Sequence, residues 1–213
     1  MLRATSLGLK RLLDLAVALV ALGVLWPLLL VLSALIRIDS PGPALFRQTR
    51  LGLGGRPFTM YKLRTMGSDA DDSLHKAYVE QLLTIPNDAA APSPAGVLYK
   101  LDGDPRITRM GAFLRRSSLD ELPQLINVLL GDMSLVGPRP ALAYEAQLMP
   151  ARHLTRFQVR PGITGLWQVS GRNRLTLGQA LDLDVVYVKN WSLGRDFGII
   201  LRTLPAVLRG SCR

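Results

Sequence analysis

Between Leu15 and Ile36 the chain carries no charge for 22 residues, and Leu, Val and Ala supply most of them. A helix of that length reaches across the hydrocarbon core of a bilayer. The run is too long for the apolar part of a secretory leader. The residues that follow, Arg37-Ile38-Asp39-Ser40-Pro41, offer no small-residue cleavage site. Two features argue against a simple span. Pro27 sits near the middle, where proline removes one backbone hydrogen bond and kinks a helix. Basic residues flank both ends: Arg3, Lys10 and Arg11 before, then Arg37, Arg47, Arg50 and Arg56 after. A spanning helix carries its Lys and Arg excess on one side. A single transmembrane helix stays open on length alone, but the expected topology is re-entrant, or monotopic: the segment enters one leaflet, bends at Pro27 and returns. Residues 1–39 form this helix-break-helix unit, and residues 40–213 form a cytoplasmic domain.

The composition narrows the partners. Of 213 residues, 26 are Lys or Arg and 16 are Asp or Glu, a net +10. Such a surplus points to an anionic partner: nucleic acid, an anionic membrane face or a phosphorylated substrate. No basic run interleaved with aromatics suggests base stacking, so no nucleic acid is expected. The one cysteine, Cys212, allows no intramolecular disulfide. With His75 and His153 the only histidines, a His/Cys metal cluster is excluded. Any metal would be a hard cation held by carboxylate and phosphate oxygens.

The rest of the chain reads as α+β, mostly helical with a few short strands. Ser40-Pro41-Gly42-Pro43 is a turn, and Gly52, Gly54 and Gly55 mark a hairpin or loop. Phe58–Met66 reads as a strand whose period of two places Phe58, Met60, Lys62 and Arg64 on one face. A helix is expected over residues 67–84 and a loop over 86–96. Helices then follow near Thr108–Arg116, over Leu119–Leu130 (closed by Gly131-Asp132) and over residues 141–158. Pro161-Gly162 and Gly165 break the chain. Thr176-Leu177-Gly178-Gln179 has the form of a capping box and opens a helix to about Asn190. In Leu193–Arg209, Arg195, Arg202 and Arg209 fall seven apart beside Phe197, Ile200, Leu201, Leu204 and Leu208. Such an amphipathic helix can lie at a membrane interface or pack on the domain with a solvated arginine stripe.

Asp120 and Glu121 form an acid pair inside basic surroundings. Arg106, Arg109, Arg115 and Arg116 precede it, and six arginines against the single acid Glu145 occupy Gly137–Leu175. Pro123 is tolerated only in a first helical turn, which places Asp120 at or next to an N-cap. Capping alone accounts for an acid pair there. The same position keeps a carboxylate ionised, and an ionised Asp can attack phosphorus while nearby arginines offset charge repulsion. Several arginines held in Pro/Gly-rigid turns suit fixed anion contacts better than solvated surface positions do.

Ordered motifs extend this pattern: Lys10-Arg11-Leu12-Leu13-Asp14, Phe46-Arg47-Gln48-Thr49-Arg50-Leu51-Gly52, Tyr61-Lys62-Leu63-Arg64-Thr65-Met66 and Asp104-Pro105-Arg106-Ile107-Thr108. Ser118-Leu119-Asp120-Glu121-Leu122-Pro123-Gln124, Gly131 to Pro140, Pro161-Gly162-Ile163-Thr164-Gly165 and Trp167-Gln168-Val169-Ser170-Gly171-Arg172 follow. Through these residues the chain resembles the bacterial sugar transferases, the small monotopic phosphoglycosyl transferases. The resemblance implies transfer of a phosphosugar from a UDP-sugar to polyprenyl (undecaprenyl) phosphate, with UMP released, at the cytoplasmic face of the bacterial inner membrane. It implies Asp120 as nucleophile through a covalent phosphosugar intermediate, Glu121 as its dyad partner, and Mg2+ held at Asp120 and Glu121. Arg139, Lys62, Arg64, Arg160 and Arg172, with Gln168, are the candidate phosphate and nucleotide contacts. The family bend is often Ser-Pro, whereas Trp26-Pro27 stands here. The expectation is a minimal catalytic unit, without the additional membrane helices and extra domain of larger relatives. Sugar identity and association with further copies stay open. A catalytically silent membrane-surface protein would account for the basic surface and apolar anchor but not for the acid pair or the Pro138-Arg139-Pro140 turn.

Overall fold

The computed structural model describes residues 2–67, 77, 104, 106–171 and 175–208. The expected helix over 67–84 (apart from residues 67 and 77), the loop over 86–96, and Arg172 and Arg209 lie outside them.

Helix α1 (Leu2–Asp39) continues through Pro27 without interruption, so no break divides residues 1–39 in the secondary structure. At 1.5 Å per residue it is roughly 57 Å long. Its Thr5–Asp39 stretch is long and apolar enough to cross a membrane. One face packs on the domain along most of this length. Ala18, Ala21, Leu22 and Leu25 meet Met60, Leu125, Val128 and Met133. Farther on, Leu29, Leu32 and Ile36 meet Ala44, Leu63 and Leu114. The opposite face leaves Leu12, Leu19, Val20, Val24, Leu30 and Val31 exposed.

Polar contacts hold both ends of α1 to the same domain. Near the start, Lys10 Nζ lies 2.6 Å from Asp196 Oδ2 and donates to the Val136 carbonyl at 3.1 Å. Asp14 accepts from the Leu135 N–H at 3.1 Å. At the other end Asp39 accepts from the Met110 N–H at 3.0 Å.

Strands β1 (Leu45–Leu51) and β2 (Pro57–Leu63) form an antiparallel hairpin pairing Leu45 with Leu63 and Leu51 with Pro57. The expected glycine loop is its tip, a short 3-10 turn with Gly54 and Gly55 at positive φ. The strand is shorter than the sequence suggested. It ends at Leu63, and only an isolated bridge, Met66 to Ile107, continues the pairing.

Helix α2 (Arg109–Ser117) is capped by Thr108, whose hydroxyl accepts from the Gly111 N–H at 3.0 Å. The helix expected over Leu119–Leu130 is divided. Leu119–Glu121 forms a 3-10 turn, and helix α3 (Gln124–Leu130) begins after Pro123. Proline has no N–H to donate, so it sits where the new helix needs none. Asp120 therefore lies in a connecting turn rather than at the cap of a long helix. Ser118 joins α2 to the 3-10 turn in the left-handed region at φ 57°.

Strands β3 (Ser134–Val136) and β4 (Gly162–Thr164) pair in parallel, so a short strand forms where the Pro/Gly signals suggested only a break. A Cβ on Gly162 would collide with the Gly137 backbone nitrogen, so glycine lets the Gly137 and Gly162 motifs meet. Between these strands lie α4 (Ala143–Leu148) and a 3-10 segment (Ala151–Gln158). The expected single helix over 141–158 is cut at Pro150, which cannot continue the hydrogen-bond ladder.

Helices α5 (Leu166–Ser170), α6 (Leu177–Lys189) and α7 (Leu193–Leu208) complete the described residues. The Thr176/Gln179 capping box opens α6 as expected, with bonds of 3.0 and 3.2 Å. On α7, Phe197 and Leu201 are exposed, while Ile199 is buried beside Val136 and Tyr187. The fold is α+β with two two-stranded sheets among the described residues.

Candidate active site

The turn carrying Asp120 is pressed against β2. Asn127, fully buried on α3, accepts from the Tyr61 N–H at 3.0 Å and donates to the Thr59 carbonyl at 2.6 Å. This amide fixes the register between α3 and the hairpin. One consequence is that Lys62 Nζ stands 3.1 Å from Glu121 Oε1, both side chains about one-fifth exposed. Burial of Met60 and partial burial of Phe58 confirm the period-two face that also carries Lys62.

Glu121 and Lys62 open onto a concavity also lined by Met60, Gln124, Arg139, Pro140, Gly162, Ile163, Gln168 and Arg50. Asp120, only 7% exposed, lies in the turn beside it. Arg115 is coupled to this turn. Burial pulls its guanidinium below its ordinary pKa, while Asp120 and then Asp104 pull it back up. An arginine stays charged under such shifts. Its Nε donates to the Thr65 hydroxyl at 3.0 Å. Gln168 donates from Nε2 to the Ile163 carbonyl at 3.3 Å, and its Oε1 is buried without a hydrogen-bond partner among the described residues. A substrate donor would satisfy that acceptor.

The Arg139 turn is supported from beneath. Arg156, 3% exposed, donates to the Arg139 carbonyl at 2.6 Å and lies 2.8 Å from Asp184 Oδ2. Burial pushes the Asp184 carboxyl up to about 6, against the pull of Arg156, so it is mainly ionised at neutral pH. Beside them Arg50 donates to the Pro140 carbonyl at 3.3 Å and lies 3.9 Å from Glu145. Glu145 accepts from the Leu142 N–H at 2.8 Å.

The structure thus gathers Glu121, Lys62, Arg139 and Gln168 around one concavity, with Asp120 adjoining. It does not gather Arg64 and Arg160, and Arg172 lies outside the described residues. Arg64 shares the strand period, but β2 has ended, and its guanidinium is bonded to the Ser40 and Pro41 carbonyls and the Ser40 hydroxyl. Arg160 points away, with Nε on the Gly131 carbonyl at 2.8 Å, and lines a different cleft. Arg50, Gln124 and Arg156 were not singled out by the sequence, and Arg115 entered only among the arginines preceding the acid pair. Arg50 and Gln124 lie within recognised motifs, but nothing local distinguishes Arg156.

Among the described residues no three His, Cys, Asp or Glu side chains cluster as a metal site. Asp120 and Glu121 supply two carboxylates. That donor set fits Mg2+ completed by substrate phosphate oxygens and water, the usual arrangement for this ion.

The model of the family described as bacterial sugar transferase matches residues 5–210. A UDP-glucose:undecaprenyl-phosphate glucose-1-phosphate transferase of Caulobacter vibrioides is 44% identical over 207 residues, covering 93% of this chain and 69% of that protein. The exopolysaccharide production protein ExoY of Rhizobium meliloti is 42% identical, covering 95% and 87%. A galactosyl transferase, CpsE, of Streptococcus agalactiae is 43% identical, but the chain, 95% covered, spans only 42% of its length. A match running through the acid pair, the Lys62 strand and both glycine-linked turns leaves one conclusion: the chain belongs to the bacterial sugar transferase family and is a transferase.

Proposed function

We propose that the chain transfers a sugar 1-phosphate from a UDP-sugar to a polyprenyl phosphate such as undecaprenyl phosphate, releasing UMP, as a membrane step of exopolysaccharide or glycoconjugate assembly. The observation that carries this reading is an acid pair set at the edge of a cationic concavity. Glu121 faces Lys62 at 3.1 Å, and Arg139 and Gln168 complete the wall. A diphosphate there would meet Lys62 and Arg139, which offset its charge. The printed activities of relatives, on UDP-glucose in one protein and as an undecaprenyl-phosphate galactose phosphotransferase in another, support the substrate class.

The chemistry balances in two displacements. An Asp120 carboxylate oxygen attacks the phosphorus bearing the sugar, forming an acyl-phosphate bond as the bond to the UMP oxygen breaks. A phosphate oxygen of the prenyl carrier then attacks the same phosphorus, and the carboxylate is restored. Lys62 orients Glu121, which assists proton handling. Mg2+, where bound by Asp120 and Glu121, supplies neutralisation of phosphate charge.

α1 supports a monotopic placement at the cytoplasmic face of the inner membrane. Lys10 and Asp14 near its start and Asp39 at its end are bonded to one domain. A helix crossing the bilayer would place its ends on opposite sides, roughly 30 Å of hydrocarbon apart. The exposed apolar face is then available to lipid. Full-length protein should release UMP from a UDP-sugar beyond one equivalent per chain only when polyprenyl phosphate is present. Turnover independent of the prenyl acceptor would contradict the function.

A further inference from the structure

A second concavity, with a volume of about 310 Å³, lies where the first turns of α1 meet β3 and the end of α6. It shares no lining residue with the one beside Asp120. Arg11 donates to the Val128 and Leu129 carbonyls at 2.7 and 3.2 Å. Arg160 donates from Nε to the Gly131 carbonyl, two residues farther on, at 2.8 Å. Both cations thus converge on the C-terminal end of α3, where a helix favours positive charge. That role uses only Nε of Arg160. Its two terminal amines have no protein partner among the described residues. Lys10 is held by Asp196, and Asp14 accepts from Leu135.

Helix capping explains the two arginines but not Ser134. This residue is 1% exposed, lines the same cleft, and its Oγ is buried without a hydrogen-bond partner among the described residues. Buried hydroxyls are almost always bonded. Ser134 and Arg160 both line this cleft and both carry donors, and Lys10, Arg11 and Arg160 against Asp14, with Asp196 on Lys10, leave a cationic surplus that favours an anion. Leu7, half exposed, and Trp191 form an apolar border continuous with α1. The ligand therefore carries hydrocarbon as well as charge.

We propose that this cleft binds the phosphate group of a membrane lipid, with Arg160 and Ser134 as its donors and the lipid chain lying along the start of α1. The site is separate from the transfer chemistry and rests on the membrane placement of α1. Phospholipid and prenyl phosphate share the required chemistry.

The test uses the full chain in non-ionic detergent, with lipid retention read by native mass spectrometry. The probes are short-chain phosphatidylglycerol, a short-chain prenyl monophosphate, and a diacylglycerol of matched chains as the phosphate-free control. At least one phosphate lipid should be retained about tenfold better than diacylglycerol. Arg160→Gln should weaken that retention about tenfold, Arg160→Lys less, and Ser134→Ala several-fold. Retention of phosphatidylglycerol that falls in Arg160→Gln assigns the site to phospholipid, and retention of the prenyl phosphate alone that falls in the same variant assigns it to the prenyl carrier, whereas prenyl phosphate held equally by parent and variant sits at the Asp120 concavity and counts against the cleft. Either assignment supports the cleft, provided that the thermal unfolding midpoints of the variants match the parent. Equal retention of diacylglycerol, or unchanged retention in both Arg160→Gln and Ser134→Ala, would overturn it. Flotation with uncharged vesicles separates the two ideas. A chain that floats but fails the retention test has lost only the cleft, and one that does not float has lost the membrane placement as well.

Discussion

Removing either partner of the buried Arg156–Asp184 pair should have unequal consequences. Both side chains are about 2% exposed, and their nearest atoms are 2.8 Å apart. The Asp184 carboxyl, ordinarily 3.8, sits at about 6 because burial outweighs the pull of Arg156. At pH 7 that shift already costs about 3 kcal/mol, and holding the group fully neutral would cost about 4 kcal/mol. Arg156→Met lets Asp184 protonate, adding about 1 kcal/mol, and loss of the bond to the Arg139 carbonyl adds about 1–2 kcal/mol. Asp184→Leu leaves a cation that cannot deprotonate, which costs about 3–5 kcal/mol. The pH dependence gives a second check. The folded protein binds the Asp184 proton more tightly than the unfolded chain, so stability from this group rises as pH falls through 6 towards 4. Between pH 7 and pH 5 the parent gains about 1 kcal/mol from it. Asp184→Leu has no such gain, so the gap between the two should widen by that amount at pH 5. Denaturant unfolding in detergent micelles at both pH values measures this. A milder effect from Asp184→Leu than from Arg156→Met, or a gap that narrows on acidification, would refute the reasoning.

Other perturbations test the site's placement. Lys62→Met should lower kcat/KM for UMP release about 100-fold with folding intact, because the cation 3.1 Å from Glu121 is lost; a steady-state assay beside a circular dichroism spectrum decides it. Asn127→Leu strands the Tyr61 N–H and Thr59 carbonyl and should destabilise by about 2–4 kcal/mol in denaturant unfolding. Gly162→Ala places a methyl against the Gly137 backbone and should cost about 3 kcal/mol or more, with activity lost even where the protein can be recovered.

The parts legible in the sequence were those governed by local rules. The Thr176/Gln179 capping box, the Thr108 helix start and the glycine hairpin tip each depend on neighbours a few residues away, and each formed. The period of two correctly put Lys62 on the face with Met60. It failed for Arg64 because β2 stops one residue earlier, which frees that side chain to reach Ser40. Pro123 marked a helix start correctly, but a 3-10 turn came before it. Asn127, Arg156 and Asp184 were not legible: each acts on residues far along the chain, such as Asn127 on Thr59. Arg160 stands in a Pro/Gly-rich motif resembling an anion turn, yet tertiary packing aims it at the α3 terminus.

The central claim is that Asp120 carries the phosphosugar. Incubating the full chain with UDP-sugar and Mg2+ in the absence of prenyl phosphate, then reading intact and peptide masses, tests it directly. The predicted result is a one-to-one adduct with the mass of one phosphosugar on the peptide bearing Asp120, absent in Asp120→Asn and discharged when polyprenyl phosphate is added. An adduct on another residue, or prenyl-dependent turnover by Asp120→Asn at the parent rate, would contradict it.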